Sequence, residues 1–197
     1  MAVENKLMLR NVRLSFPTLG EPEQYQNKGP FRWSAAFLVP YNDPQKAAVD
    51  KLIRAIAIDK WGKKADNVLE TVLTDPKGCC WMDGKRKDYE GYEGHFALST
   101  HRPQDKGRPM VIDTDKSPIY MPDNTLYAGK AGRVYGGCYV NAQVEIWTQD
   151  NKQGKGVRAT MLTIQRNRDG DSFGGGARPS ADDFGEVEEG ADAADIG

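Results

Sequence analysis

The residues of this sequence best suited to chemistry are aromatic rings set among cations. Phe31-Arg32-Trp33 is one such cluster, and Lys85-Arg86-Lys87-Asp88-Tyr89 with Tyr92 is a second. Tyr127, Lys130, Arg133, Tyr135 and Tyr139 make a third. Single-stranded nucleic acid asks for both kinds of group: cations meet the phosphates, and flat rings stack on bases exposed by unpairing. Stacking contributes on the order of 1–3 kcal/mol per base and tolerates any sequence. A plainer account makes Trp33, Phe37, Tyr139 and Trp147 the core of a small sheet, with Lys and Arg on its solvated face. Lys85-Arg86-Lys87 follows Asp83-Gly84, a hairpin-turn signal, so these cations are expected at a hairpin tip or in an ordinary charged turn.

Other chemistries fit less well. A zinc site from Cys79, Cys80, His95 and His101 would lack both the Cys-x-x-Cys and the paired-His spacing of structural zinc. A metal-dependent nuclease needs converging carboxylates, and Asp113, Asp115 and Asp123 come nearest. They fall in a proline-containing stretch where Asp is expected as a turn former. The sequence has no Walker-type loop, and Gly174-Gly175-Gly176 reads as linker. No enzymatic activity, cofactor or metal is expected.

Charge sharpens the nucleic-acid reading. Residues 181–197 hold Asp182, Asp183, Glu186, Glu188, Glu189, Asp192 and Asp195, with Phe184 among them and no Lys or Arg. Of 27 basic and 28 acidic residues in the chain, those seven acids leave the first 180 residues with 27 against 21. A body at +6 thus precedes a tail at −7, which suggests a polyanion binder with a built-in means of regulation. No apolar run approaches the roughly 20 residues that span a bilayer, and the N-terminus lacks signal-peptide order. Three cysteines, two of them adjacent, do not form a disulfide framework and fit a reducing compartment. A cytoplasmic protein without membrane contact is expected.

Periodicity predicts the elements that position these residues. Leu7 to Phe16 alternates, with Leu7, Leu9 and Asn11 on one face and Met8, Arg10, Val12 and Leu14 on the other, and predicts a strand stopped by Pro17. Arg10 and Arg13 fall on opposite faces. Gly20 to Pro30 is polar and predicts a loop. Phe31 to Val39 predicts a strand with Phe31, Trp33, Ala35 and Phe37 on one side and Arg32, Ser34, Ala36 and Leu38 on the other. Asp43-Pro44 marks a helix start, and Ala48, Leu52, Ile53 and Ile56 carry helical spacing to about Lys60. A second helix is expected over Lys64 to Leu73. Further strands are expected over 95–100, 109–113, 133–148 and 156–165, the last two joined by a polar loop at 149–155. Beyond Gly174 the composition predicts a linker and a disordered acidic tail, giving a domain over 1–173 and a tail over 174–197. The fold expected is mainly β, an OB-fold-like five-stranded Greek-key barrel with one or two inserted helices.

Several segments resemble a known family. Asp83-Gly84 leads to Asp88-Tyr89-Glu90-Gly91-Tyr92, followed by Pro109-Met110-Val111-Ile112-Asp113 and Tyr135-Gly136-Gly137-Cys138-Tyr139-Val140-Asn141-Ala142. Gly156-Val157 and Leu162-Thr163-Ile164-Gln165 then precede Arg168-Asp169-Gly170. In this order they resemble a family of bacteriophage single-stranded DNA-binding proteins, long catalogued as a domain of unknown function. The resemblance spans most of residues 6–173. It implies an OB-fold core, an acidic tail and a role in coating unwound DNA during phage replication and recombination. Gly136-Gly137 would permit a bend with close backbone approach, and Gly91 and Gly94 would do likewise beside Tyr92. Related proteins often end in acids and a terminal Phe, whereas this chain ends Asp195-Ile196-Gly197.

The expectation is a sequence-tolerant single-stranded DNA-binding protein. Phosphates would meet Arg32, Lys85, Arg86, Lys87, Lys130, Arg133 and Arg158, and bases would stack on some of Trp33, Tyr89, Tyr92, Tyr127 and Tyr135. The tail would compete with DNA and contact replication or recombination proteins; without it the body would also hold duplex. The alternatives are a phage structural or assembly protein, a metal-dependent nuclease, and an annealing protein for recombination.

Overall fold

The computed structural model describes residues 3–25 and 27–174. Its strands are β1 (Lys6–Tyr25), β2 (Lys28–Pro40), β3 (Trp81–Asp83), β4 (His95–Pro103), β5 (Met110–Ile112), β6 (Tyr139–Asn151) and β7 (Gly154–Arg168). They form one sheet in the order β3-β4-β2-β1-β6-β7-β5. Antiparallel pairing from β4 through β2, β1 and β6 to β7 makes β4 and β7 run parallel. Residues 78–80 close the gap between them: Cys80 N donates to Val157 O at 2.9 Å, Val157 N to Gly78 O at 3.0 Å, and Ser99 N to Cys80 O at 2.8 Å. The expected mainly β barrel is therefore present, with its helices inserted between β2 and β3.

The first helix, α1 (Pro44–Trp61), starts as the sequence predicts, with the Asp43 carboxylate accepting from Gln45 N at 2.8 Å and Pro44 in the first turn. It and α2 (Ala65–Thr74) cover one side of the barrel with Val49, Ile53, Ala57, Leu69 and Val72. Trp61 and Trp81 bury their rings and aim their indole N–H groups at Asp150 and Asp50, at 2.9 and 2.8 Å.

Several boundaries differ from expectation. β1 does not stop at Pro17 but continues to Tyr25, so the predicted loop at Gly20–Pro30 is mostly a β-arm. Pro17 and Pro22 fall where the β1–β2 register shifts, positions that need no ladder N–H. A bulge between Leu9 and Val12, with Asn11 at φ 52°, resets the alternation. Leu9, Val12 and Leu14 consequently all enter the core, although simple parity puts Leu9 opposite the other two. Asp83-Gly84 opens a 3₁₀ turn over Gly84–Arg86, not a hairpin tip, because Asp83 caps it by accepting from Lys85 N at 3.0 Å. The predicted 149–155 loop shrinks to a tight turn as β6 and β7 extend toward each other.

The segment between β5 and β6 is organised by a buried carboxylate. Asp113 is 3% exposed and accepts from Lys130 Nζ at 2.7 Å and Thr114 N at 2.8 Å. Arg133 Nε and Arg166 Nη1 stand 3.6 and 3.8 Å away. Burial pushes the carboxyl pKa up, but the Lys130 hydrogen bond, the Thr114 N–H and the charges of Lys130 and Arg133 outweigh it and hold the pKa low. The lowered value means this stability is fully present above the unfolded pKa near ~3.9 and is lost as pH falls through the folded one. Asp113→Asn, which removes the buried charge that the partly exposed Lys130, Arg133 and Arg166 face, should lose about 2 kcal/mol at pH 7 by urea unfolding. The gap to the wild type should narrow below about pH 4. Equal midpoints at pH 7 would show that the cluster does not hold this segment.

Candidate nucleic-acid interface

Strand alternation in β2 and β4 sends large side chains inward and small ones outward. Trp33, Phe37 and Leu98 are buried in the barrel, while Arg32, Ser34, Ser99 and His101 lie on the outer face. Register sets Ser34 opposite His101, Ala36 opposite Ser99 and Leu38 opposite Ala97. The outer face is thus a strip of small side chains, the floor of an open groove of about 380 Å³.

Aromatic rings form one wall. Phe16 is 60% exposed and Tyr89 48%, whereas Tyr92 is buried behind them. The Phe16 and Tyr89 rings meet edge to face at 5.0 Å, and Tyr89 and Tyr92 at 5.2 Å. Phe16 has φ 45°, a strained conformation for a side chain of this size that costs on the order of 1–3 kcal/mol. It sits in the β1 bulge between Ser15 and Thr18, where the strand turns its ring out of the core. Desolvation raises the Tyr92 pKa, so its hydroxyl stays neutral.

The loop that carries Tyr89 and Tyr92 is held at both ends. Tyr41 donates to the Asp83 carboxylate, and that hydrogen bond pushes the phenol pKa up to about 12 while lowering that of Asp83. At the other end Phe173 packs against Leu38, Tyr92 and Ala97, with the Arg13 guanidinium 4.3 Å from its ring centroid. Gly174 N donates to the Glu90 carboxylate at 2.7 Å. Gly91 makes the fit possible: its φ is 78°, and a Cβ there would lie 2.3 Å from the Phe173 ring. Gly137 similarly admits the Asp171 carbonyl, which a Cβ would meet at 2.0 Å. Gly94, grouped with Gly91 in sequence, has no neighbour within 4 Å of that position.

Two cations line the groove, Arg32 on the floor and Lys87 with its Nζ 6.0 Å from the Tyr89 ring centroid. His101 completes the far end, its pKa lowered by burial and then by Arg32 and Arg158. At neutral pH it presents an uncharged ring.

The other predicted residues are placed elsewhere. Trp33 is 4% exposed and donates its indole N–H to Gly20 O at 2.7 Å. Lys85 is exposed, near the Tyr41 ring, and Arg86 reaches back to Leu73 O at the end of α2. Lys130 and Arg133 surround Asp113. Arg158 donates to Gly78 O at 2.7 Å and to the Gln149 side chain. The Tyr135 hydroxyl bonds with Asp169 and with both backbone groups of Gly170. Tyr127 is exposed, away from the groove. Asp115 and Asp123 accept from Ser117 and Thr125 in local turns and do not join Asp113 in a metal site. Among the described residues no three His, Cys, Asp or Glu side chains could hold a metal ion. The predicted tail residues, Asp182 through Asp195, lie outside the described residues. Sequence reasoning missed Phe16 and His101 as groove residues; the signal available was the run of small residues alternating in β2 and β4.

The packing of Phe173 on Tyr92 gives a direct test of how the aromatic wall is held. Phe173→Ala should speed amide hydrogen exchange at Tyr92 and His95 by on the order of tenfold. Those amides close the loop onto Tyr89 O and Tyr92 O. Gly91→Ala should act in the same direction by expelling the Phe173 ring. Unchanged exchange in both variants would mean that the loop holds itself.

A sequence model described as Enterobacter phage Enc34, ssDNA-binding protein, matches residues 5–194. A protein designated p50, from Acyrthosiphon pisum secondary endosymbiont phage 1, is 40% identical over 181 residues, 91% of this chain and 92% of its own. Among solved structures, the single-stranded DNA-binding protein of bacteriophage Enc34 in complex with ssDNA has a TM-score of 0.68 at 24% identity, covering 88% of this chain and 96% of that one. The bacteriophage T7 single-stranded DNA binding protein gp2.5 has a TM-score of 0.55 at 12% identity, covering 96% of this chain and all of its own. These two likenesses establish a shared fold. The match along nearly the whole sequence establishes more: the chain belongs to the family of the Enterobacter phage Enc34 ssDNA-binding protein.

Proposed function

We propose that this protein binds single-stranded DNA with little regard for sequence and coats it during phage replication and recombination in the host cytoplasm. The observation that carries the reading is the groove, in which exposed Phe16 and Tyr89 stand beside Arg32 and Lys87 above a floor of small side chains. Bases stack on the two rings, phosphates meet the two cations, and Tyr92 backs the wall. This work needs no bond making, so the protein acts without catalysis, cofactor or metal.

The acidic tail regulates binding by competing for the groove and contacts replication or recombination proteins. Its last described residue, Gly174, is tied to Glu90 in the aromatic loop, which roots the tail at the groove rim. Seven acids without a cation over residues 181–197 suit it to cationic side chains.

Fluorescence anisotropy of labelled oligo-dT and a matched duplex, at two salt concentrations, tests both parts. The full chain should bind oligo-dT more tightly than duplex, and salt should weaken it. Tyr89→Ala and Phe16→Ala should each weaken oligo-dT binding about tenfold. A chain of residues 1–177 should bind more tightly, most clearly at low salt, and should also hold duplex. No binding at low salt overturns the DNA reading; equal affinity of the two chains there overturns the competing tail.

A further inference from the structure

We propose that Trp147 forms a second stacking subsite for single-stranded DNA, continuous with the groove across His101. The inference rests on the groove's assignment to DNA and extends the strand's path around the end of β4. A second concavity of about 420 Å³ lies there, with His101, Arg102, Lys106, Trp147 and Thr160 in its lining. His101 belongs to both concavities, so one strand leaving the aromatic wall passes over it toward Trp147.

Trp147 differs from the other tryptophans of the chain. Trp33, Trp61 and Trp81 are 4%, 9% and 3% exposed, and each indole N–H is bound to an oxygen on a neighbouring element. Trp147 projects from β6 on the side opposite buried Ile146 and is 36% exposed. Its N–H donates to Thr160 Oγ1 on β7 at 3.2 Å, which fixes the ring's orientation without burying it. A large exposed ring with a fixed edge loses little entropy on stacking.

The cations are also placed in advance. Arg102 donates to the carbonyls of Gly107 and Lys106 at 2.7 and 2.8 Å, and so holds the turn after β4 that presents Lys106. Glu145 shares the concavity and accepts from Asn5 Nδ2 at 3.2 Å. Its charge repels phosphate, so the backbone runs along the Arg102 and Lys106 side while the base lies over Trp147. The combination of ring and cation is that of the first groove, built from different strands.

Tryptophan fluorescence reads this subsite directly, because the other three indoles are buried. Oligo-dT of roughly twelve nucleotides, a length within the range one OB-fold covers, should quench the emission of the full chain. Trp147→Leu should abolish most of the quenching and weaken the twelve-nucleotide complex about tenfold by anisotropy. Its affinity for an oligomer of roughly four nucleotides, enough for the first groove only, should not change. Trp147→Phe should regain most of the lost affinity without the quenching, which separates stacking from damage to the fold. Tight binding by wild type and Trp147→Leu alike, with equal quenching, overturns the second subsite and leaves the first groove standing. Absence of any oligo-dT binding by the wild type overturns both.

Discussion

A β-strand has two faces, and in β2 and β4 the two must satisfy opposite demands. Inside, Trp33, Phe37, Val39 and Leu98 fill a small barrel and are almost wholly removed from water. Each such side chain contributes about 1.5–3 kcal/mol on burial, so none can be made small without a cavity. Outside, Ser34, Ala36 and Ser99 leave the sheet surface open. Only where Tyr92 and Phe173 cover Leu38 and Ala97 does the outer face acquire a small core of its own. The aromatic wall stands on that outer core, and the groove is the uncovered remainder of the same face.

Much of this division is legible in the sequence, because period-2 alternation is local. The inward and outward sets of β2 and the capped start of α1 are read from neighbouring residues. The bulge at Asn11 is not, since one residue at φ 52° reverses the parity of everything after it. Phe16 was hidden for the same reason. Its position before Pro17 marks a strand end by local rules, whereas pairing with β2 carries the strand onward and turns the ring outward.

Cations were less legible than rings. Lys130 and Arg133 sit in a sequence cluster with Tyr127 and Tyr135, yet their charge is directed to Asp113, 17 and 20 residues earlier in the chain. Arg158 reaches Gly78 across 80 residues to support the segment that closes the barrel. A basic residue reads identically in sequence whether its partner is a phosphate or a distant carbonyl. What separates Arg32 and Lys87 from the others is the strip of small residues beside them, a property of two paired strands together.

If the acidic tail competes for the groove, as proposed, the place where it is rooted matters most. A segment tethered at Gly174 would meet the groove at an effective concentration set by the tether, in the millimolar range for short flexible connections. On that reading a weak anionic segment would be enough to fill an empty groove, and a DNA strand stacking on Phe16 and Tyr89 would displace it with interactions that the tail largely lacks. Phe184 is the tail's single aromatic ring, whereas each unpaired base brings a ring of its own. Charge is common to both proposed ligands and stacking favours one of them, so rings that bound DNA would also discriminate against the protein's own acids. Duplex offers phosphates but keeps its bases paired, so it would meet the tail on charge alone. Under the proposed competition, selection for single strands would have the same origin.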